Sequence, residues 1–331
     1  PVRIYHIHGL PIETASFLKA ICLWLSDFLA ISCATKVLCV SKSVQNSLTN
    51  HRLLPKAKEA KVLLEGTLCG IDIHNRFQDD SVMHAKMRTA TRNKHGISDS
   101  ATVIGYVGRF VRDKGIQELV QAWEEIKADR DDIRVLMVGD RDAAGGTDET
   151  ALQRVQNNIH WSWTGWDLDT AKYYAAMDFL VLPSYREGFP TVVLEAAAMG
   201  KPAIVTDATG CIDSVKHQKT GIIVPVKSSS ALARALRTYL NNISLRQVHG
   251  KAARERVEAM FDQKKVQARL IQEYDDSFSK LPQNYSLPKT FFLESLQKIH
   301  LRLCDVIKAT RVLLTFLPSR SYRKWPFFDK E

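Results

Sequence analysis

Residues 187–195 read Glu-Gly-Phe-Pro-Thr-Val-Val-Leu-Glu, and they follow an apolar stretch that predicts a strand at Phe179–Leu182. A strand that leads through a glycine and proline turn into a helix is the repeating unit of a parallel α/β sheet. Gly188 permits close approach of the backbone to a ligand, and Pro190 suits the first turn of a helix. The stretch therefore predicts a ligand-binding turn at the carboxyl edge of such a sheet.

The same stretch contains groups that suit a phosphorylated sugar. The amides from Phe189 to Val192, with Thr191 among them, would point N–H groups at an anion. Glu187 lies just before the predicted helix and Glu195 lies inside it, so both can accept hydrogen bonds from sugar hydroxyls on either side of a phosphate. Two acids at this spacing are more often solvated helix charges, and it is a second motif that favours the binding interpretation.

The second motif is basic and also joins a strand to a helix. Residues 108–115 read Gly-Arg-Phe-Val-Arg-Asp-Lys-Gly, between the predicted strand Val103–Val107 and the helical stretch Ile116–Ile126. Arg109 and Lys114 are therefore expected at the ligand edge of the sheet, where a guanidinium and an ammonium can clamp a diphosphate. Isolated loop cations are usually surface charges, but their occurrence with the acidic motif in one succession of strands and helices favours a site.

Together these motifs resemble glycosyltransferase family 4, a group of retaining sugar transferases with the GT-B fold. The resemblance covers residues 1–275, and its motifs are specific when they are taken together as a set. Its motifs are Gly108-Arg109, Lys114-Gly115, Thr164-Gly165, the Glu187 and Glu195 pair, residues 206–211 and residues 220–225.

The resemblance implies a role for each motif. Arg109 and Lys114 would hold the diphosphate of a nucleotide sugar, Glu195 the ribose, and Glu187 with the Gly188–Pro190 backbone the donor sugar. His8 stands before a glycine where the family has a histidine that faces the donor sugar, although a strand-end histidine is as readily structural. The candidate catalytic residues are His8, Arg109, Lys114 and Glu187. The candidate donor-binding residues are Gly108, Arg109, Lys114, Gly165, Glu187, Gly188, Phe189, Pro190, Thr191 and Glu195.

We therefore expect a bacterial glycan- or capsule-type transferase that moves a sugar from UDP to a hydroxyl of a glycan or polyprenyl-linked saccharide. No cofactor or metal is expected. Asp140-Arg141-Asp142 mimics a metal-binding motif, but it follows the predicted strand Arg134–Val138, where acidic turns are ordinary. Two alternatives stay open: a non-catalytic fragment that binds a nucleotide sugar, and a GT-B epimerase of sugar nucleotides. Turnover separates the first alternative from a transferase, and a requirement for an acceptor separates the second.

Composition agrees with a cytoplasmic enzyme. The chain has 331 residues, 45% of them hydrophobic and 25% charged, with a formal net charge of +10. Its six cysteines show no Cys-x-x-Cys spacing, so they predict reduced thiols and not a disulfide or zinc framework. No apolar stretch is long enough to cross a bilayer. The diffuse basic charge has no nucleic-acid recognition motif, so nucleic acid is not an expected partner.

The predicted fold is α/β, with two Rossmann-like, doubly wound parallel-sheet domains of which the N-terminal one is incomplete. Its strands are predicted at Val2–Ile7, Lys36–Val40 and Val62–Leu64, and residues 79–95 are predicted to be basic and structureless. The predicted divisions are an acceptor-side domain at 1–80, a linker at 81–100, a nucleotide-sugar domain at 101–262, a crossover helix at 263–285 and a basic amphipathic tail at 286–331. Residues 287–331 are either a packed terminal helix or a segment that lies on an anionic membrane surface. In the second case, that surface would be the inner face of the cytoplasmic membrane.

Overall fold

The computed structural model describes residues 2–127, 130–141, 146 and 149–279, and both of its sheets lie in one compact unit. The first sheet has three parallel strands in the order β1-β2-β3. The strands are β1 (Ile4–Ile7), β2 (Lys36–Cys39) and β3 (Ala60–Val62), and they are connected by the helices α1 (Phe17–Cys33) and α2 (Lys42–Asn50). The predicted strand Val62–Leu64 is therefore displaced, because Leu64 has a φ of 52° and the chain turns there.

The second sheet has six parallel strands in the order β6-β5-β4-β7-β8-β9. These strands are β4 (Thr102–Val107), β5 (Ile133–Val138), β6 (Trp161–Trp163), β7 (Phe179–Leu182), β8 (Ala203–Thr206) and β9 (Gly221–Val224). The remaining helices are α3 (Ser81–Lys94), α4 (Ile116–Ile126), α5 (Glu149–Gln156), α6 (Ala171–Ala176), α7 (Thr191–Ala198), α8 (Cys211–Ser214), α9 (Ser229–Asn241), α10 (Ile243–Met260) and α11 (Gln263–Phe278).

Burial explains why the central strands are continuous apolar runs. All four residues of β7 and all four of β8 are buried, as expected for parallel strands that are covered on both faces by helices. The core extends from this sheet to the first one, because one cluster of buried apolar side chains includes Leu38 of β2 as well as Leu180 of β7. The α/β, parallel-sheet class is thus confirmed.

The prediction that residues 79–95 lack structure is wrong, because they contain the helix α3. Asp80 caps this helix by accepting a hydrogen bond from the Met83 amide at 2.9 Å. The basic charge that suggested a solvated stretch is partly buried: Arg92 is 0% exposed. Its guanidinium donates to Asp178 at 3.1 Å and to the carbonyl oxygen of Ala176 at 3.0 Å. These contacts fasten α3 to the second sheet.

The helix α11 contacts the first sheet through a buried carboxylate. Glu273 pairs with Lys36 of β2 and with Lys61 of β3, and the Tyr274 hydroxyl lies 2.8 Å from His6 Nε2. Burial by itself would raise the pKa of the Glu273 carboxyl, but hydrogen bonds from Lys36 and Lys61 outweigh it, and that pKa lies below its ordinary value. The helix thus returns the chain from the second sheet to the first.

Replacing Arg92 with methionine should strongly destabilise the protein. The change leaves Asp178 without its buried partner and several backbone carbonyls without a donor, which costs about 3 to 5 kcal/mol for a buried ion pair. Arg88 is the matched control, because it reaches the same Asp178 at 3.2 Å from a side chain that is 30% exposed. Arg88→Met should cost about 1 kcal/mol or less. Urea unfolding measures both losses, and equal losses would contradict the assignment.

Replacing Glu273 with glutamine should remove a stabilisation that depends on pH. Because the folded-state pKa of Glu273 is lowered, its contribution is present above the unfolded-state pKa of about 4.3 and is lost as the pH falls through the folded-state pKa. Urea unfolding of the unmodified chain and Glu273→Gln should differ most near neutral pH and converge in acid. A difference that stays constant between pH 7 and pH 3 would show that the carboxylate charge is not the cause.

Candidate functional site

The strand order of the second sheet locates a crevice between β4 and β7. From β4 the chain proceeds through β5 to β6 on one side, and from β7 it proceeds through β8 to β9 on the other. In open parallel sheets, ligands bind beyond the carboxyl ends of the strands at the point where the winding reverses. The loop after β4 carries Arg109 and Lys114, and the loop after β7 carries Glu187, so the two motifs flank one crevice.

Close backbone packing joins these two loops. Gly115 has a φ of 68°, and a Cβ atom there would lie 2.0 Å from the carbonyl oxygen of Pro183. The Tyr185 amide donates to the Asp113 carbonyl at 2.8 Å. Any larger residue at position 115 would therefore force the loops apart.

This packing brings Lys114 and Glu187 into an ion pair. Lys114 Nζ lies 2.5 Å from Glu187 Oε1, and the two side chains are only 14% and 12% exposed. Ser184 Oγ donates to the same carboxylate oxygen at 3.0 Å. The carboxylate is thus fixed by two donors, which prepares it to accept from a ligand hydroxyl without reorganising.

Arg109 lies on the same loop with its side chain exposed. Its carbonyl oxygen accepts a hydrogen bond from the Tyr106 hydroxyl at 2.8 Å. Burial, together with the charge of Glu187, raises the pKa of Tyr106 well above its ordinary value, so this hydroxyl stays protonated and donates. Gly108 begins the loop, and its amide donates to the Val138 carbonyl at 2.9 Å. The backbone of the loop is thus fixed, and Arg109 as a whole residue is exposed.

Glu195 lies one turn into α7, and two hydroxyls from the α6 region hold it. The Tyr174 hydroxyl lies 2.9 Å from Glu195 Oε2, and Thr170 Oγ1 lies 3.3 Å from the same oxygen. Sequence reasoning missed both residues, although their spacing of four along a helix places them on one face. Gly165, with a φ of 74°, follows the end of β6 at Trp163, and its carbonyl accepts from the Gly139 amide at 2.9 Å.

At Gly188 the turn after β7 packs directly on the end of β1. A Cβ atom on Gly188 would lie 1.6 Å from the carbonyl oxygen of His8, and one on Gly9 would lie 3.4 Å from the Cα of Gly188. The backbone of His8, at the end of β1, therefore lies against the turn that carries Glu187. The imidazole of His8 is exposed, and its ring lies 6.3 Å from that of His6.

The remaining predicted residues form the start of α7. Pro190 precedes Thr191 and has no side-chain hydrogen-bonding group, so no side chain of the N-cap satisfies the first-turn N–H groups, although the Pro190 carbonyl accepts from the Val193 amide at 3.1 Å. The Phe189 side chain is 8% exposed and packs on Phe261 with ring centroids 5.4 Å apart. Only the backbone of Phe189 is therefore placed to meet a ligand.

Asp140 of the acidic triplet accepts from the Arg141 amide at 2.8 Å, whereas Asp142 lies outside the described residues. Within residues 2–127, 130–141, 146 and 149–279, no group of three or more His, Cys, Asp and Glu side chains could hold a metal ion. The helices described in those ranges include none that is long and apolar enough to cross a bilayer. The predicted membrane segment 287–331 lies outside the described residues.

Comparison with known proteins identifies a family for this chain. Residues 87–256 match the family model described as glycosyl transferases group 1. The chain is 32% identical over 277 residues to the capsular polysaccharide biosynthesis glycosyltransferase CapM of Staphylococcus aureus, covering 83% of this chain and 70% of that protein. It is 31% identical to the putative teichuronic acid biosynthesis glycosyltransferase TuaC of Bacillus subtilis, covering 74% of this chain and 57% of that one.

Solved structures show the same fold. Sucrose-phosphate synthase of Thermosynechococcus elongatus superposes with a TM-score of 0.71 at 26% identity, covering 84% of this chain and 68% of that one. Anabaena HepE, solved in complex with UDP, superposes with a TM-score of 0.68 at 19% identity, covering 82% and 72%. With its GT-B fold and its family match over half its length, the chain belongs to the group 1 glycosyltransferases.

Proposed function

We propose that the chain transfers a sugar from a UDP-sugar to a hydroxyl of a glycan or polyprenyl-linked saccharide, with retention of the anomeric configuration. The observation that carries this proposal is the Lys114–Glu187 pair at the crevice between β4 and β7. In this proposal Lys114 is the cation for the diphosphate and Glu187 the acceptor for sugar hydroxyls, and the two lie within hydrogen-bond distance of each other. Glu195 stands farther along α7, where a ribose attached to that diphosphate would reach it.

The diphosphate would bind to the basic loop. Arg109 is exposed on this loop, and Lys114 is paired with Glu187 on the neighbouring loop. Negative charge grows on the diphosphate as the bond to the sugar breaks, and fixed cations in a shielded site stabilise that charge. The first-turn N–H groups of α7 would add to the stabilisation.

The carboxylates would divide the rest of the donor between them. Glu195 is oriented by Tyr174 and Thr170 and would accept from the ribose hydroxyls. Glu187 and the Gly188–Pro190 backbone would contact the sugar, with His8 on the opposite side. Since Glu187 is held by Lys114 and Ser184, we assign it to binding. We propose a same-face substitution in which the leaving phosphate assists the attacking hydroxyl.

The names of relatives support the choice of donor and acceptor. HepE was solved with UDP. CapM is named for capsular polysaccharide biosynthesis, and a Campylobacter jejuni relative, 28% identical over 54% of this chain, is named for an undecaprenol-linked acceptor. Transfer to such an acceptor would place this chain at the inner face of a cytoplasmic membrane. We propose that catalysis uses no metal or other cofactor, because Arg109 and Lys114 supply the positive charge.

Replacing Arg109 with alanine should weaken UDP binding by roughly 1.5 to 3 kcal/mol, because one charge-assisted contact to the diphosphate is lost. Isothermal titration calorimetry with UDP measures the effect. Arg112→Ala is the matched control, since Arg112 is exposed on the same loop and should leave the affinity unchanged. Equal affinities for the Arg109 variant and the unmodified chain would refute the diphosphate assignment.

Glutamine substitutions should separate the two carboxylates. Glu195→Gln should lower the affinity for UDP itself, because the ribose loses its anionic acceptor. Glu187→Gln should leave the affinity for UDP unchanged and lower only the affinity for the intact UDP-sugar. Calorimetry with both ligands on both variants gives the comparison, and the division of roles fails if each variant loses the same amount on each ligand.

A chelator should leave sugar transfer largely intact. If side chains neutralise the diphosphate, EDTA removes nothing that the reaction needs, and Asp140→Asn should be mild. The measurement is the initial rate of transfer with and without EDTA. Loss of the rate, with recovery on addition of Mn²⁺, would return Asp140 and Asp142 to candidacy as metal ligands.

A further inference from the structure

A carboxylate from the first-sheet half of the molecule reaches into the second-sheet half. Glu13 lies in a short 3-10 turn, Pro11–Thr14, a few residues after His8 at the end of β1. Its Oε1 accepts from Thr209 Oγ1 at 2.8 Å and from Ser47 Oγ of α2 at 2.6 Å. Thr209 belongs to the loop after β8, so one carboxylate oxygen joins the two halves across 196 positions of sequence.

The loop that Glu13 holds is itself bonded to the proposed sugar site. The Thr209 carbonyl accepts from the Glu187 amide at 2.8 Å. Gly210, with a φ of 80°, packs so tightly that a Cβ atom there would lie 2.5 Å from the carbonyl oxygens of both Glu187 and Gly188. A shift of Thr209 would therefore move the backbone of Glu187.

A second contact holds the same loop from the first-sheet side. The Gly210 amide donates to Ser43 Oγ at 2.7 Å, and the Ser43 amide donates to Asp213 at 2.9 Å. Ser43 thus fixes the end of the loop that leads into α8. Glu13 fixes the part that bonds to Glu187, and it is the only one of the two that carries charge.

We propose that Glu13 is a positioning residue for the donor sugar: it fixes the Thr209 loop and thereby the Glu187 turn against the first-sheet half. This inference rests on the proposed function, in which Glu187 contacts the sugar. Glu13 would act on the sugar through Glu187 and not on the nucleotide, because Glu195 and Arg109 are held by other contacts.

The test compares the affinities of the full chain for UDP and for a UDP-sugar. The UDP-sugar is whichever of UDP-glucose, UDP-galactose, UDP-N-acetylglucosamine and UDP-N-acetylgalactosamine gives the unmodified chain its largest thermal stabilisation. Glu13→Ala should lower the affinity for that UDP-sugar about tenfold, because it removes a charge-assisted hydrogen bond from the contacts that link Glu13 through Thr209 to Glu187. It should leave the Kd of UDP within about twofold of the value for the unmodified chain, since the proposed UDP contacts do not include Glu13, Thr209 or Glu187.

Three further variants make the result specific. Glu13→Gln keeps an acceptor oxygen and should restore most of the UDP-sugar affinity. Thr209→Val removes the hydroxyl and keeps the carbonyl that bonds to Glu187, so it should reproduce the selective loss and replaces Glu13→Ala if that variant does not fold. Ser47→Ala removes the other hydrogen bond of Glu13, within the first-sheet half, and should change neither affinity.

Two results would overturn the inference while leaving the proposed function intact. Unchanged UDP-sugar affinity in both Glu13→Ala and Thr209→Val would show that the contact positions nothing. If these variants lost equal affinity for UDP and for the UDP-sugar, the Glu13 contact would have a general structural role and would not position the sugar. An unmodified chain that binds neither UDP nor any of the four UDP-sugars would instead refute the proposed function, and with it this inference.

Discussion

The winding of the second sheet reverses between β4 and β7, and the candidate site depends on that reversal. Two loops that follow adjacent parallel strands must emerge side by side, and here one carries Lys114 and the other carries Glu187. Gly115 then lets the first loop pack on the carbonyl of Pro183 without a gap. The ion pair is a consequence of strand connectivity and close backbone packing. Its geometry is therefore set by the backbone and not by the conformations of two flexible surface side chains.

A second constraint is close backbone packing around the Glu187 turn, which meets the first-sheet half at His8 and the loop after β8 at Gly210. Gly188 faces the His8 carbonyl, and Gly210 faces the carbonyls of Glu187 and Gly188. Side chains would separate these segments, so glycine is required for the contact and not only for the local turn. Two buried charges reinforce the assembly: Arg92 fastens α3 to the second sheet, and Glu273 fastens α11 to the first.

The sequence predicts the buried elements best. Strand β7 and helix α4 begin and end where the apolar pattern and the flanking glycine, proline and polar residues indicate, and α11 begins where the crossover helix is predicted. The motif loops were also placed at the correct edge of the sheet. The prediction failed for α3, because a run of basic residues was interpreted as solvated while the buried partners of Arg92 lie far along the chain.

The hydrophobic pattern of the sequence does not predict contacts between distant segments. The pairing of Lys114 with Glu187, the hydroxyls of Tyr174 and Thr170 on Glu195, and the link from Glu13 to Thr209 follow from tertiary packing. Periodicity reports only which face of an element is buried, and it does not identify the polar atom that faces it.

The most direct measurement is a crystal structure of the chain with UDP bound. The proposed site predicts the diphosphate within hydrogen-bond distance of the Arg109 guanidinium and the Lys114 ammonium, with the ribose hydroxyls on Glu195. A nucleotide bound away from the crevice between β4 and β7, or a ribose that does not touch Glu195, would contradict it.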